Sequence, residues 1–280
     1  MLLMLFTVAM FTLTSLNDKY AVSKCGYSGS QLTFIMAAFT ALFLTPFLFT
    51  PLVDRTFTLS WQSFVCIAIM AAAKWSEFFM SAKILMQMSV FELKAWMGLT
   101  LFISYFYDVL SGSQTLSAVK IICIVLAVVG LIVIASDGKQ KVDYKAIALP
   151  LVLYIAQSFA YGYAVKLSVG HISSEISLYA ALIILALCLV PAAKPLTLMK
   201  NAEGTKGFLI TAGVKLPNAA GMIAYNAVAR ISLTNYAFVT PMCLITIFAI
   251  DIINKNERLS RPRLIGSILV VLGIVGCQIV

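Results

Sequence analysis

Lys74, Glu77 and Ser81 recur at i, i+3 and i+7 inside the apolar run MAAAKWSEFFMSAKIL, residues 70–85. That spacing places all three on one face of a helix. An ammonium and a carboxylate on an apolar face can hold the charged ends of a small solute. They can equally neutralise each other and only pack. A charge at a bilayer centre costs about 2.5–3.5 kcal/mol on insertion scales, so such groups face protein or water. A buried pair rarely improves on apolar packing, which favours a polar pathway over packing alone. Lys83 lies near the helix end and reads as snorkelling to the interface.

A second stripe repeats the theme. Lys215, Asn218, Met222 and Asn226 fall at i, i+3, i+7 and i+11, with Pro217 beside them to free backbone carbonyls. A third stripe offers Tyr154, Gln157, Ser158 and Tyr161 on one broad face. Tyrosine faces often only pack; a glutamine between two of them favours a lined cavity. Glu92 and Trp96 share a face near a helix start, with Lys94 close by, and these charges belong either to the pathway or to the interface. Asp18, in SLNDKYAVSK, either exchanges a proton or cation or pairs with Lys19 or Lys24. Lys74, Glu77, Ser81, Trp96, Tyr154, Gln157, Tyr161, Lys215, Asn218 and Asn226 are therefore the candidate substrate contacts. Glu77, Asp18 and Glu92 are the candidates for coupling to a proton or sodium ion. Asp108 and Asp251, at helix ends, read as caps or loop anchors, and His171 reads as a loop surface residue.

No GxSxG, HExxH, Walker A or GxGxxG motif occurs, and neither enzymatic activity, nor a cofactor, nor a metal site is expected. The six cysteines form no CxxC pair; all but Cys25 lie in apolar runs and read as packing residues.

The elements that must position these side chains are membrane helices. Hydrophobic residues make up 61% of the 280 and charged residues 11%, against about 25% charged in soluble domains. Apolar runs near the ~20 residues needed to cross a bilayer repeat along the whole chain. The formal net charge is +9. The basic residues cluster in short loops, which points to topology and anionic lipid, not to nucleic acid. The opening MLLMLFTVAMF reads as a retained first helix. Punctuation predicts about ten helices, near 2–23, 31–52, 60–84, 89–110, 116–136, 145–165, 175–193, 207–229, 232–253 and 262–280.

The chain also repeats. A constant offset of 143 aligns Ser89 with Ser232, Asp108 with Asp251, Lys120 with Arg263, Gly130 with Gly273, and YAV at Tyr20 with YAV at Tyr163. Two halves, 1–143 and 144–280, then carry about five helices each. An odd count makes the second half enter the membrane from the opposite side, giving the inverted-topology repeat of secondary transporters. Gly98 and Pro241 also match and predict hinges at equivalent points, and Pro217 is a third candidate hinge. The fold expected is an all-α membrane protein of ten transmembrane helices in two inverted five-helix repeats.

The C-terminal block TPMCLITIFAIDIINKNERLSRPRLIGSILVVLGIVG, with Pro241, Glu257-Arg258-Leu259, Gly266 and Gly273, resembles the drug/metabolite transporter superfamily in its ten-helix EamA-like form. SGSQTLSAVKIICIVLAVVG in the first half is its degenerate copy. The resemblance implies a central cavity lined mainly by helices 1, 3, 4, 6, 8 and 9, with helices 5 and 10 at the periphery. The expected function is alternating-access transport or exchange of a small polar metabolite, amino acid-like or otherwise zwitterionic or anionic. A non-transporting receptor or scaffold, and a sugar-phosphate or nucleotide-sugar exchanger, stay open. The expected partners are the solute, the lipid bilayer and a coupling proton or sodium ion, without nucleic acid, in a monomer or homodimer. The expected location is a cell membrane, inner or plasma. Loop charges place the odd-numbered loops in the cytoplasm and both termini outside.

Overall fold

The structure, a computed structural model, describes residues 2–51, 53–85, 93, 96–136, 144–253 and 260–279. Of some helical positions, including Lys19, Ser81, Lys83 and Asp251, it describes the backbone alone. The described chain is all-helical, its strand pairing confined to a single β-bridge between Phe57 and Ile172. The helices are α1 (Leu2–Ser23), α2 (Gly29–Leu48), α3 (Trp61–Leu85), α4 (Leu99–Leu110), α5 (Ala118–Ala135) and α6 (Tyr144–Ser168). There follow α7 (Ser174–Ala193), a 3₁₀ turn (Pro195–Lys200), α8 (Gly204–Gly213), α9 (Lys215–Ile231), α10 (Leu233–Ile253) and α11 (Arg261–Ile279). Six stretches are long and apolar enough to cross a membrane: α2, α5, α6, α7, the α8–α9 pair and α11. The chain is thus built as an integral membrane protein.

Local chemistry sets the ends. Ser28 accepts from the Gln31 amide at 3.3 Å, while Gln31 Oε1 accepts from the Ser28 amide at 3.0 Å, a complete capping box for α2. Ser117 and Ser173 cap α5 and α7 in the same manner, accepting from Lys120 N and Ile176 N. Lys194 ends α7 in the left-handed region, at φ 48°, just before Pro195. In the loop between α2 and α3, the Thr56 hydroxyl and amide both donate to Asp54 Oδ1, which holds that carboxyl below its ordinary range.

The expected single helix over 207–229 is two. Gly213 closes α8 and α9 restarts at Lys215. Pro217 has no N–H to offer the carbonyl four residues back, that of Gly213, so the ladder lapses where glycine also weakens it. The helix expected from 89 starts, where described in full, at Leu99. Gly98 interrupts it, and its carbonyl accepts from Leu101 N at 3.1 Å in a 3₁₀-like bond. Helix α10 continues through Pro241 without a break. The expected start of the fourth helix, the charged loop at 137–143 and the Glu257-Arg258-Leu259 turn lie outside the described residues.

Helices pack in pairs: α5 along α11, α3 along α6, α2 along α7 and α1 along α9. The α5–α11 pair shows why. Ile122, Val125, Val129 and Ile132 make the outward stripe of α5, while Ile124, Ala127, Val128 and Leu131 are buried against the partner. At the crossing, a Cβ on Gly130 would meet the Gly266 carbonyl at 2.6 Å. One on Gly273 would meet the Cys123 carbonyl at 2.5 Å. Only glycine lets these backbones approach so closely.

Candidate functional site

A central cavity opens between α3, α6, α9 and α10, at the foot of α4. Lys74 and Glu77 line it from α3, and Met97 from the helical residues just before Gly98. Tyr154, Gln157, Ser158 and Tyr161 line it from α6, Tyr225 from α9, and Tyr236 and Thr240 from α10. The space inside it open to a water-sized sphere is about 40 Å³, room for water and well below the range of small-molecule sites, so a solute enters only as the lining side chains move apart.

The Lys74 ammonium donates to Glu77 Oε2 at 2.8 Å, and the lysine side chain is 5% exposed while the glutamate is 34% exposed. The same ammonium lies 4.6 Å from the centre of the Tyr161 ring, a cation–π contact. Tyr161 in turn donates from its hydroxyl to Asn226 Oδ1 at 2.8 Å. Tyr225 and Tyr236 stack at 4.1 Å between ring centres, and the Tyr236 hydroxyl donates to the Ser158 carbonyl at 3.1 Å. Phe11 of α1 meets Tyr225 edge-on at 5.1 Å. The Gln157 amide, the Tyr154 hydroxyl and the Thr240 hydroxyl make no hydrogen bond to a described residue. Among the described residues the result is one cation, one anion and several neutral polar groups set in an aromatic wall.

The structure brings Lys74, Glu77, Tyr154, Gln157, Ser158 and Tyr161 together as the stripes predict. Asn226 joins at second hand, through the Tyr161 hydroxyl. It does not bring Lys215 there. That ammonium is fully buried and pairs with Asp18 Oδ1 at 2.6 Å, between α9 and α1. Asp18 therefore pairs across the fold with Lys215; the Lys19 side chain lies outside the described set, and Lys24 is exposed. Asn218 donates to Thr40 Oγ1 at 2.9 Å, tying α9 to α2. Trp96 stands outside the cavity lining and is 38% exposed. Glu92, Lys94 and the Ser81 side chain lie outside the described residues. His171 occupies the α6–α7 loop, where its carbonyl accepts from Thr58 N at 2.8 Å.

Met97, Tyr225, Tyr236 and Thr240 escape the sequence reading. Tyr236 and Thr240 stand at i and i+4 near the start of an apolar helix, and that pair was the available signal. Tyr225 lies three residues after Met222 on the very stripe drawn from Lys215, one that turns from α1 towards the cavity as it ascends.

A second network closes one end of the bundle. Asp108, fully buried at the end of α4, accepts from Lys166 Nζ at 2.6 Å and Leu233 N at 3.2 Å through Oδ1. Through Oδ2 it accepts from Ser232 Oγ, Thr234 N and Thr234 Oγ1, each at 2.9 Å. It is a cap, but for the N-terminus of α10, not for its own helix. Glu175, also buried, accepts from Arg230 at 2.9 Å nearby in the chain's α7–α9 contact.

No protein-family model and no curated protein matches the chain. Among solved structures, a crystal structure of a protein aligns with a TM-score of 0.76 over 99% of this chain and 96% of its own, at 11% identity. At that identity the likeness shows a shared fold and nothing of activity.

Proposed function

We propose that the chain is a secondary transporter of the drug/metabolite transporter type, EamA-like, moving a small polar metabolite across a cell membrane by alternating access. The solute is amino acid-like or otherwise zwitterionic or anionic. The observation that carries this reading is the central cavity, lined from both halves of the chain and holding the Lys74–Glu77 pair against Tyr161.

Packing supports the ten-span, inverted-repeat architecture, with halves 1–143 and 144–280. Adding 143 to α5 gives the span of α11, and adding it to α2 gives nearly that of α7. The same shift carries the α3–α6 contact onto the contact between α8–α9 and α1. It also carries Gly130 against Gly266 onto Gly273 against Cys123, residue for residue. A contact in which i meets j while i+143 meets j−143 is what a two-fold-related pair of repeats produces. Such repeats place substrate at their interface, where this cavity lies. Coupling to a proton or sodium ion would use Glu77 or Asp18, the two described carboxylates deepest in the bundle with partial exposure. A monomer or homodimer suffices, because one chain completes the cavity.

The test is uptake by proteoliposomes loaded with candidate amino acids, sugar phosphates and organic ions. Saturable, counterflow-stimulated flux that Lys74→Met abolishes is the expected result. Binding without flux for every solute would move the chain to the receptor or scaffold class.

A further inference from the structure

We infer that the Lys74–Glu77 pair is a charge filter: it opens to admit a zwitterion, whose ammonium replaces Lys74 at Glu77 and whose anionic group takes the freed Lys74, and it rejects solutes that carry only one of those charges. This rests on the transporter reading above and names the solute class at the same cavity.

Four observations lead here. First, among the described residues lining the cavity, Lys74 and Glu77 alone carry formal charge; the other described lining groups are Met97, tyrosines, Gln157, Ser158 and Thr240. Second, the site already holds a primary alkylammonium, that of Lys74, between the Glu77 carboxylate at 2.8 Å and the Tyr161 ring at 4.6 Å. A substrate ammonium has the same chemistry and finds the same carboxylate and aromatic face. Third, the pair is local. Lys74 and Glu77 are three residues apart on α3, so opening it takes rotation of two side chains. The pairs Lys215–Asp18, Lys166–Asp108 and Arg230–Glu175 each join different helices, and opening any of them would part those helices. Fourth, Gln157 and Tyr154 offer neutral donors and acceptors that no described residue engages, close enough to line the same space.

Charge balance then sets the selection. A zwitterion takes both halves of the opened pair and leaves nothing unpaired. A carboxylate alone would take Lys74 and strand Glu77, while an amine alone would take Glu77 and strand the buried Lys74. Stranding Lys74, 5% exposed, is strongly unfavourable, while Glu77, 34% exposed, keeps part of its hydration and is stranded at a smaller cost.

The experiment uses the full-length chain in detergent near neutral pH, with titration calorimetry of two matched sets. One set is L-phenylalanine, 3-phenylpropionate and 2-phenylethylamine; the other is L-leucine, 4-methylpentanoate and 3-methylbutylamine. In at least one set the zwitterion is expected to bind about tenfold or more tightly than both relatives. Glu77→Gln should weaken the zwitterion about tenfold and bring the carboxylate level with it, and Lys74→Met should do the same for the amine. The double reversal Lys74→Glu with Glu77→Lys should keep the zwitterion preference, which separates charge from misfolding. A single-charge relative binding as tightly as its zwitterion would overturn the filter. So would the absence of binding by all six solutes, or an equal loss for all three members of a set in both single variants. Flux in proteoliposomes separates the two ideas. Zwitterion-selective binding without flux sinks the transporter and keeps the filter. Equal flux of zwitterion and single-charge relative does the reverse.

Discussion

Replacing Asp108 by asparagine keeps the shape of the side chain and removes its charge. Asp108 accepts through Oδ1 from Lys166 and Leu233 N, and through Oδ2 from Ser232, Thr234 N and the Thr234 hydroxyl. An amide has one oxygen. Turned to keep the Oδ2 set, it points an NH₂ at an ammonium and at a backbone N–H, so donors face donors. Turned the other way, it deserts three donors at the start of α10. Breaking a buried pair from one side costs about 3–5 kcal/mol, and a deserted buried donor costs about 1–3 kcal/mol. These overlap. Lys166 is 13% exposed and already donates to Ser113 at 3.2 Å, so it relaxes in part. The net loss should be about 3 kcal/mol, a drop of roughly 6–12 °C in Tm at about 2–4 °C per kcal/mol. Thermal unfolding in detergent measures it, and amide exchange at Leu233 and Thr234 should accelerate. A cycle with Lys166→Met isolates the pair, and its coupling should exceed about 1 kcal/mol. An Asp108→Asn protein melting within about 2 °C of wild type, with protected Thr234, would refute this account of how α10 is anchored.

Removing Lys215 or Asp18 singly should destabilise by about 3 kcal/mol, and the double variant Lys215→Met with Asp18→Leu should recover part of that loss; denaturant titration decides, and additive losses would refute the pairing. Gly130→Ala and Gly273→Ala should each lower Tm to a similar degree, because the new methyl meets backbone in both, whereas Gly213→Ala, with nothing within 4 Å of its Cβ, should be neutral or slightly stabilising. Tyr161→Phe keeps the ring beneath Lys74 and should retain most solute binding, while Tyr161→Leu should lose it about tenfold, read by the same calorimetry.

The helical periods and the length of each apolar run were legible because a bilayer imposes both, and the described helices end within a few residues of the punctuation. The polar stripes were legible too, since a Lys or Glu in such a run must face something. What the stripe from Lys215 lacked was a partner. Lys215 and Lys74 look alike in sequence, each buried in an apolar helix with polar neighbours a turn away. Their fates differ because Asp18, 197 residues before Lys215, reaches one of them and Glu77, three residues after Lys74, reaches the other. The i, i+3 spacing carries the second of these pairings, but no local pattern carries the first. The break at Val214 was half visible, in Gly213 and Pro217, yet the apolar run across them reads as continuous. Of the aromatic wall, Tyr154 and Tyr161 were read from their stripe, while Tyr225 and Tyr236 were missed because tyrosines in a membrane helix are ordinary packing until several helices aim them at one point.

On the proposed repeat, the two lysines become a comparison within one molecule. Adding 143 to Asp18 gives 161, and Tyr161 is the residue whose ring underlies Lys74. Adding it to Lys74 gives 217, two positions from Lys215. Each half thus sends a lysine from its third helix to the same place on the first helix of the other half. In one copy that place holds a carboxylate, and the ammonium is locked to it with its side chain fully buried. In the other it holds an aromatic ring, and the carboxylate has moved onto the lysine's own helix, a third exposed. The first arrangement ties α1 to α9 and resists opening. The second leaves an ion pair that can change partners while every helix stays where it is. Exchanging Tyr161 for aspartate would test that division directly: it should draw Lys74 into a cross-helix pair like that of Lys215 and abolish solute binding. Binding that survives the exchange would show that the placement of Glu77 on α3 is incidental.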